Sequence, residues 1–298
     1  MTTRAGAPIV VGVDGSQLSL KATEVAAEEA ALRNRPLQVF HVFAWPPVTT
    51  GIVPGLPAPS IRAAQELADA TVAEAVELAA KIAPDVATTG RSVTGGAAPA
   101  LIEASRDAHL LVVGEPAIGG FGGLLAGSVA VESAAHSRCP VLVARDAGRP
   151  AGPVIVGVDG SRTSAFALTF AADEAALRGA ELIALHAWDA ASSTELGDTL
   201  PVDAELREGG AAEDRVLAEA MAGLAERHPS LRIERRVASG RPRELLTELS
   251  RTAQLVVVGA RGHGDITGLL LSSVSRYLIH HALCPVLVAR PSPEQEPR

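Results

Sequence analysis

Val11-Gly-Val-Asp14-Gly-Ser16 recurs as Val156-Gly-Val-Asp159-Gly-Ser161, 145 residues further on. The same offset relates Ala27-Glu-Glu-Ala-Ala-Leu-Arg33 to Ala172-Asp-Glu-Ala-Ala-Leu-Arg178, His41 to His186, Gly114 to Gly259, Cys139-Pro140 to Cys284-Pro285, and Arg145 to Arg290. One constant offset from end to end requires two copies of a single fold, so whatever one half forms the other must form too. The reading is a first domain over 1–146, a polar linker over 147–152, a second domain over 153–290 and a loose Pro- and Glu-rich tail over 291–298. The 298 residues are enough to give each half its own core.

Within a half, apolar runs alternate with amphipathic stretches. Pro8 to Asp14 is a nearly continuous apolar run, the pattern of a strand buried on both faces. Gly15 turns the chain, and Ser16 is placed to cap a helix over 17–33 with Leu18, Ala22, Val25, Ala26 and Leu32 on its inner face. A strand over 37–43 follows. The next stretch, Trp45 to Ser60, carries Pro46, Pro47, Pro54, Pro57 and Pro59, which forbid helix or inner strand. Residues 61–83 read as a helix with Leu67, Val72, Val76, Leu78 and Ile82 inside. Then come a strand over 85–93, a short helix over 99–106, a strand over 109–114, a glycine-rich loop, a helix over 127–137 and a strand over 140–144. The second half places strands near 153–159, 181–187, 231–238, 254–259 and 285–289, with a more acidic insert from Asp189 to Glu208. Strand–helix alternation of this kind forces parallel strands joined by right-handed crossovers. The expected class is α/β, with a five-stranded parallel sheet of order 3-2-1-4-5 and helices on both faces in each half.

In an open parallel sheet, ligands bind beyond the carboxyl ends of the strands, where strand order reverses. With that order, strands 1 and 4 flank the crevice. Their ends are Asp14 and Gly114 in one half and Asp159 and Gly259 in the other. For each Asp two readings stand together: turn chemistry, in which the carboxylate binds nearby N–H groups, and a ligand role. After Gly114 and Gly259 come loops ending in Gly127-Ser128 and Ser272-Ser273. A strand, a flexible loop and a helix start offer unpaired N–H donors and a positive dipole end, which suit phosphate.

Several chemistries find no support. There is no Gly-x-Gly-x-x-Gly turn after strand 1, no Gly-Lys-Ser or Gly-Lys-Thr loop and no Gly-x-Ser-x-Gly elbow. His41 and His186 read as satisfied core histidines, and His280-His281 lack a carboxylate or thiol cluster for metal. The net charge of −8 opposes a general affinity for nucleic acid or anionic membrane. Cys139 and Cys284 read as small buried hydrophobes, not a disulfide. No signal-like core or membrane-length apolar run is present, so the expected compartment is the cytoplasm.

Taken together these residues resemble the universal stress protein family, both halves included. The family's motif is Gly-x-x-Gly, nine residues, then Gly followed by Ser or Thr. Here it reads Gly114-x-x-Ala117, nine residues, Gly127-Ser128, and Gly259-x-x-Gly262, nine residues, Ser272-Ser273. Each copy departs at one glycine. The resemblance implies an adenine-nucleotide α-hydrolase-like, Rossmann-like fold holding ATP, with magnesium or manganese carried by the nucleotide. It implies that Asp14 and Asp159 contact the nucleoside end, with Gly12 and Gly157 beside them on strand 1. Val42 and Ala187 would meet adenine through backbone. The glycines of both loops would let N–H groups approach the phosphates, and Ser128 and Ser273 would donate to them. Arg261 and His263 could attract phosphate, whereas Glu115 puts negative charge nearby, so the second site is expected to bind better.

The functional expectation is a nucleotide-dependent regulator in stress response or growth control, with an unidentified protein partner and no catalytic residues. No base is poised for hydrolysis, so any ATPase activity would be slow. The alternatives are an interaction module that has lost nucleotide binding, and an ATP-using enzyme of the α-hydrolase group. The latter lacks its Ser-Gly-Gly-type loop after strand 1. The apolar last strands, Cys139 to Arg145 and Cys284 to Arg290, fall at sheet edges. They can pair with each other within the chain or build a homodimer. The resemblance favours edge-to-edge pairing, and a homodimer is the expected assembly.

Overall fold

The computed structural model describes residues 6–44, 60–116, 128–145, 151–188, 212–262 and 271–290. The proline-rich stretch, most of both glycine-rich loops including Ala117, Gly127 and His263, the acidic insert and the tail lie outside them. The chain divides into two compact units, Met1–Arg145 and Asp146–Arg298.

The first unit runs β1 (Ile9–Val13), α1 (Gln17–Leu32), β2 (Leu37–Phe43), α2 (Ile61–Ile82), β3 (Thr88–Thr94), α3 (Ala97–Ala104), β4 (Leu110–Gly114), α4 (Ser128–His136) and β5 (Val141–Ala144). Its strands lie side by side in the order β3-β2-β1-β4-β5 and all pair in parallel. The second unit runs β6 (Val154–Val158), α5 (Arg162–Arg178), β7 (Leu182–Trp188), α6 (212–220), α7 (Leu224–Arg227), β8 (Ile233–Ser239), α8 (Pro242–Leu249), β9 (Leu255–Gly259), α9 (Ser273–His281) and β10 (Val286–Ala289). Its order is β8-β7-β6-β9-β10, again parallel, which is the 3-2-1-4-5 arrangement repeated. The central strands are buried on both faces: Ile9, Val11, Leu111, Val112, Val154, Ile155, Val256 and Val257 are each at most 1% exposed.

The helices correct two expectations. On α1 the buried residues are Ser19, Ala22, Thr23, Ala26, Ala27, Glu29 and Ala30, while Leu32 is 39% exposed. On α2 they are Ala68, Val72, Ala75 and Ala79, while Leu67 is 71% exposed. The inner stripe is alanine, not the largest apolar side chains, because helix and sheet approach closely. A Cβ built on Gly114 would come within 3.1 Å of the Leu18 carbonyl oxygen, and one on Gly90 within 2.3 Å of Val72 Cγ1. At Gly114 little room is left for a side chain, and on α2 Val72 fits because the strand residue facing it is Gly90. Helix α3 also starts two residues earlier than expected, after Gly96, with Pro99 inside its first turn, where a missing N–H costs nothing.

Both first helices start and stop by the same devices. Ser16 and Ser161 cap them, accepting from the Ser19 and Ser164 amides at 3.2 and 3.1 Å. Asn34 and Gly179, one repeat apart, take up left-handed conformations after the last turn, at φ 49° and 61°. Glu29–Arg33 and Glu174–Arg178 form buried ion pairs across one helical turn.

Candidate functional site

In each unit a cleft opens at the carboxyl ends of the first and fourth strands. In the first unit it has a volume of about 400 Å³. Its floor is Gly12, Val13, Val113 and Gly114, and its sides are Phe40 and Val42 of β2, Ala97 and Leu101 of α3, and Val129 and Ala130 of α4. Asp14, Ser16, Glu115 and Pro116 stand at its polar end. The second cleft is smaller, about 190 Å³. It brings together Gly157, Asp159, Ala187, Gly259, Arg261, Gly262, Ser272 and Ser273. Of the first-half candidates, Gly12, Asp14, Val42 and Gly114 line one cleft. Ser128 is the first residue of α4, and Ala117 and Gly127 are outside the described residues.

The glycines have separate jobs. A Cβ on Gly12 would meet Leu101 Cδ1 at 2.8 Å, and one on Gly157 would meet Leu246 Cδ1 at 3.1 Å, so these two let α3 and α8 settle against the first strands. Gly114 and Gly259 face backbone instead: the added carbon would lie 3.1 Å from the carbonyl oxygens of Leu18 and Thr163. They bring the ends of β4 and β9 against the first turns of α1 and α5.

Each Asp serves its turn. Asp14 Oδ1 accepts from the Ser16 amide at 2.9 Å, and Asp159 Oδ1 accepts from the Ser161 amide at 2.9 Å. Partial burial pushes the Asp14 carboxyl up, but hydrogen bonds from Ser16 and Ser19 outweigh it and hold the group below its usual value. Asp14 is therefore a carboxylate at neutral pH. Glu115 does not stand as a bare negative charge, since its Oε2 lies 2.5 Å from Nη1 of the buried Arg145. Both histidines are held by hydrogen bonds, His186 buried and His41 half-buried: Nδ1 of His41 and of His186 faces the carbonyls of Val13 and Val158 at 2.8 and 2.7 Å. His186 Nε2 also meets Glu213 at 2.7 Å. Both cysteines are buried, and neither forms a disulfide.

Sequence reasoning missed a set of hydroxyls around the second cleft. Thr163 Oγ1 donates to the Arg261 carbonyl at 2.8 Å. Ser272 caps α9, accepting from the Ser275 amide at 3.0 Å, and Ser275 Oγ donates to the Gly259 carbonyl at 2.7 Å. Ser272, which stands where the motif has glycine, turns its side chain into the helix cap and is 6% exposed. The signal available was Ser-x-x-Ser at a helix start, a capping pattern. Among the described residues no group of three or more His, Cys, Asp or Glu could hold a metal ion, and no helix is long and apolar enough to cross a membrane.

Fold and site define a tandem α/β protein carrying, in each half, one cleft at the switch point of a doubly wound parallel sheet. The universal stress protein family model matches residues 7–145 and again 151–290. The chain is 36% identical to a universal stress protein of Mycolicibacterium smegmatis over 95% of this chain and 97% of that one. It is 39% identical to one of Mycobacterium tuberculosis over 95% and 97%. Among solved structures, a universal stress protein from Archaeoglobus fulgidus superposes with a TM-score of 0.67 at 19% identity, covering 96% of this chain and 98% of that one. The chain belongs to the universal stress protein family.

Proposed function

We propose that the protein binds adenine nucleotide, ATP in particular, in the clefts of its two units and acts as a nucleotide-dependent regulator in stress response or growth control, not as an enzyme. The observation that carries this reading is the repeated convergence of a turn-held aspartate and a strand-end glycine on one cleft: Asp14 with Gly114, and Asp159 with Gly259. The first cleft, at about 400 Å³, falls in the range of about 300–1,000 Å³ usual for small-molecule sites. Its apolar walls suit a base and its polar end suits ribose and phosphate. The carboxylates of Asp14 and Asp159 can accept from a ribose hydroxyl or from the adenine amino group. The amides at the starts of α4 and α9, with Ser128 and Ser273, supply the phosphate donors. Magnesium or manganese would be carried by the phosphates and would offset their charge. Arg261 adds a cation at the second cleft.

The reading is tested by mass spectrometry of nucleotide released from freshly purified, denatured protein. The wild type is expected to release ATP, and an Asp14→Asn/Asp159→Asn variant that folds normally is expected to release little. Equal release from both, or none from the wild type even after incubation with ATP and magnesium, refutes it and leaves an interaction module without nucleotide. The same reading assigns the protein to the cytoplasm as a homodimer, which subcellular fractionation and light scattering would check.

A further inference from the structure

We infer that Glu213 and His186 are positioning residues of the second cleft: a carboxylate–imidazole–carbonyl chain fixes the strand end that carries Asp159, so that α6 governs how well this cleft holds its ligand. This rests on the nucleotide reading above and adds to it the residues that set the affinity of one site.

The chain of contacts starts at the sheet. His186, buried on β7, pairs in register with Val158, the last residue of β6. Its Nδ1 lies 2.7 Å from the Val158 carbonyl, which can only accept, so this nitrogen carries a proton and donates. Its Nε2 lies 2.7 Å from Glu213 Oε2 on α6. One proton bridges that second contact, whether the ring or the carboxyl holds it, so both links are hydrogen bonds. The ring is gripped at both nitrogens and cannot turn without breaking a bond. Asp159 is the residue after Val158, so the grip bears on the strand end from which its carboxylate is presented.

The same helix also presses on the turn. Glu213 and Val216 lie one helical turn apart, on one face of α6. A Cβ built on Gly160 would come within 3.0 Å of Val216 Cγ1, and Gly160 has φ 79°, which glycine adopts without steric cost. Leu217, fully buried, anchors the helix beside it. Within the turn, Asp159 Oδ1 accepts from the Ser161 amide at 2.9 Å and the Asp159 amide donates to Ser164 Oγ at 3.3 Å. The turn is thus held by β7 through His186, by α6 through Val216 and by α5 through Ser164. A ligand-facing carboxylate fixed in this way has less freedom to lose when its ligand binds.

The first unit keeps the imidazole and changes the brace. His41 Nδ1 holds the Val13 carbonyl at 2.8 Å, just before Asp14. One repeat earlier, however, Glu213 becomes Ala68 and Val216 becomes Thr71. Alanine offers no carboxylate, and Ala68 is instead buried as part of the apolar seat of α2. A Cβ on Gly15 would lie 3.6 Å from Thr71 Cγ2, an ordinary contact where the second unit has a tight one. Helix α2 rests on its sheet by alanine packing, whereas α6 is tied by a polar chain that ends at the residue before the site.

The test uses the full-length protein carrying Asp14→Asn, so that N-methylanthraniloyl-ATP reports on the second cleft. Adding Glu213→Ala is expected to weaken binding at least about threefold, while Glu213→Gln, whose amide can still donate to Nε2, should stay within about twofold of the parent. Urea unfolding is measured beside affinity, because a purely structural role would lower stability and leave affinity unchanged. Ligand-free protein gives an independent reading by NMR. In Glu213→Ala the Ser161 amide should exchange faster while the Ser16 amide keeps its rate, and the His186 Nε2 resonance should shift. Unchanged affinity with unchanged Ser161 exchange, or a Glu213→Gln protein as weak as Glu213→Ala, overturns the inference. So does labelled ATP that binds the wild type but not the Asp14→Asn parent. No binding even by the wild type overturns the nucleotide reading, whereas faster Ser161 exchange in Glu213→Ala would still uphold the brace. Should Glu213→Ala fold poorly, Val216→Ala, a milder change on the same helix face, must still quicken exchange at Ser161.

Discussion

Arg145 Nη1 lies 2.5 Å from Glu115 Oε2, so the acidic residue at the mouth of the first cleft carries its own counter-charge. Arg145 is nearly buried, its side chain 8% exposed, whereas Glu115 keeps 28%. Replacing Arg145 with Met is expected to destabilise the first unit by about 2 kcal/mol, less than a fully buried pair would lose because Glu115 still reaches water. It should also weaken ATP binding, since the uncovered carboxylate then repels the phosphates. Adding Glu115→Gln should restore most of the affinity. Urea unfolding and ATP titration of the two singles and the double close the cycle; additive effects on affinity would show that Glu115 and Arg145 do not act as a pair.

The Asp14 carboxylate separates its two roles by substitution. Asn keeps an oxygen for the Ser16 amide, so Asp14→Asn is expected to leave stability at pH 7 nearly unchanged, while Asp14→Ala loses the bond and costs about 1 kcal/mol. Both should lose nucleotide at the first cleft. The pH dependence has a definite sign. The folded carboxyl is held below its unfolded value, so its stabilising contribution is complete above the unfolded value and disappears as pH falls through the depressed one. Acid unfolding of Asp14→Asn should therefore show a shallower loss of stability below about pH 4 than the wild type. A pH profile identical to wild type would show that the hydrogen bonds to Asp14 add nothing to the fold.

The strand–helix order and the site's location were legible because they rest on local signals repeated twice. Buried runs such as Val154–Val158, caps such as Ser16 and the strand-end glycines each write themselves into a few adjacent residues. What stayed hidden depends on distances between elements far apart in the chain. Alanines carry the helix–sheet interface because backbone meets backbone at Gly114 and Gly259, which no periodicity of large residues reveals. Arg145 is thirty positions from Glu115, and Thr163 is ninety-eight from Arg261. Their pairing appears only once the sheet order sets those strand ends and helix starts together.

Gly152 illustrates the same point at the linker. Sequence composition puts it in a polar connection, yet it is buried, and a Cβ there would lie 2.2 Å from the Thr252 carbonyl oxygen and 2.9 Å from the Gln254 amide nitrogen. The Gln254 side chain also donates to the Gly152 carbonyl at 2.5 Å. Backbone cannot yield as a side-chain tip can. Gly152→Ala is expected to cost about 1–3 kcal/mol in urea unfolding, whereas Gly12→Ala, whose added carbon meets only the tip of Leu101, should cost less than about 1 kcal/mol. The reverse order would mean that the chain at 152 can move aside.

Each unit holds one thiol, and each thiol reports on its own unit. Cys139 and Cys284 are 4% and 0% exposed. Burial pushes the Cys139 thiol up to about 12, so the reactive thiolate is scarce at pH 8 even before access is considered. Iodoacetamide should leave both residues unmodified in the native protein over many hours and label both at once in urea. Labelling under native conditions then measures opening of the surrounding structure. Because Gly152 packs within the second unit, Gly152→Ala should accelerate labelling of Cys284 well before that of Cys139, as peptide mass mapping would resolve. Equal acceleration at both thiols would show that the two units open together, and rapid native labelling of Cys139 would contradict its burial beside β5.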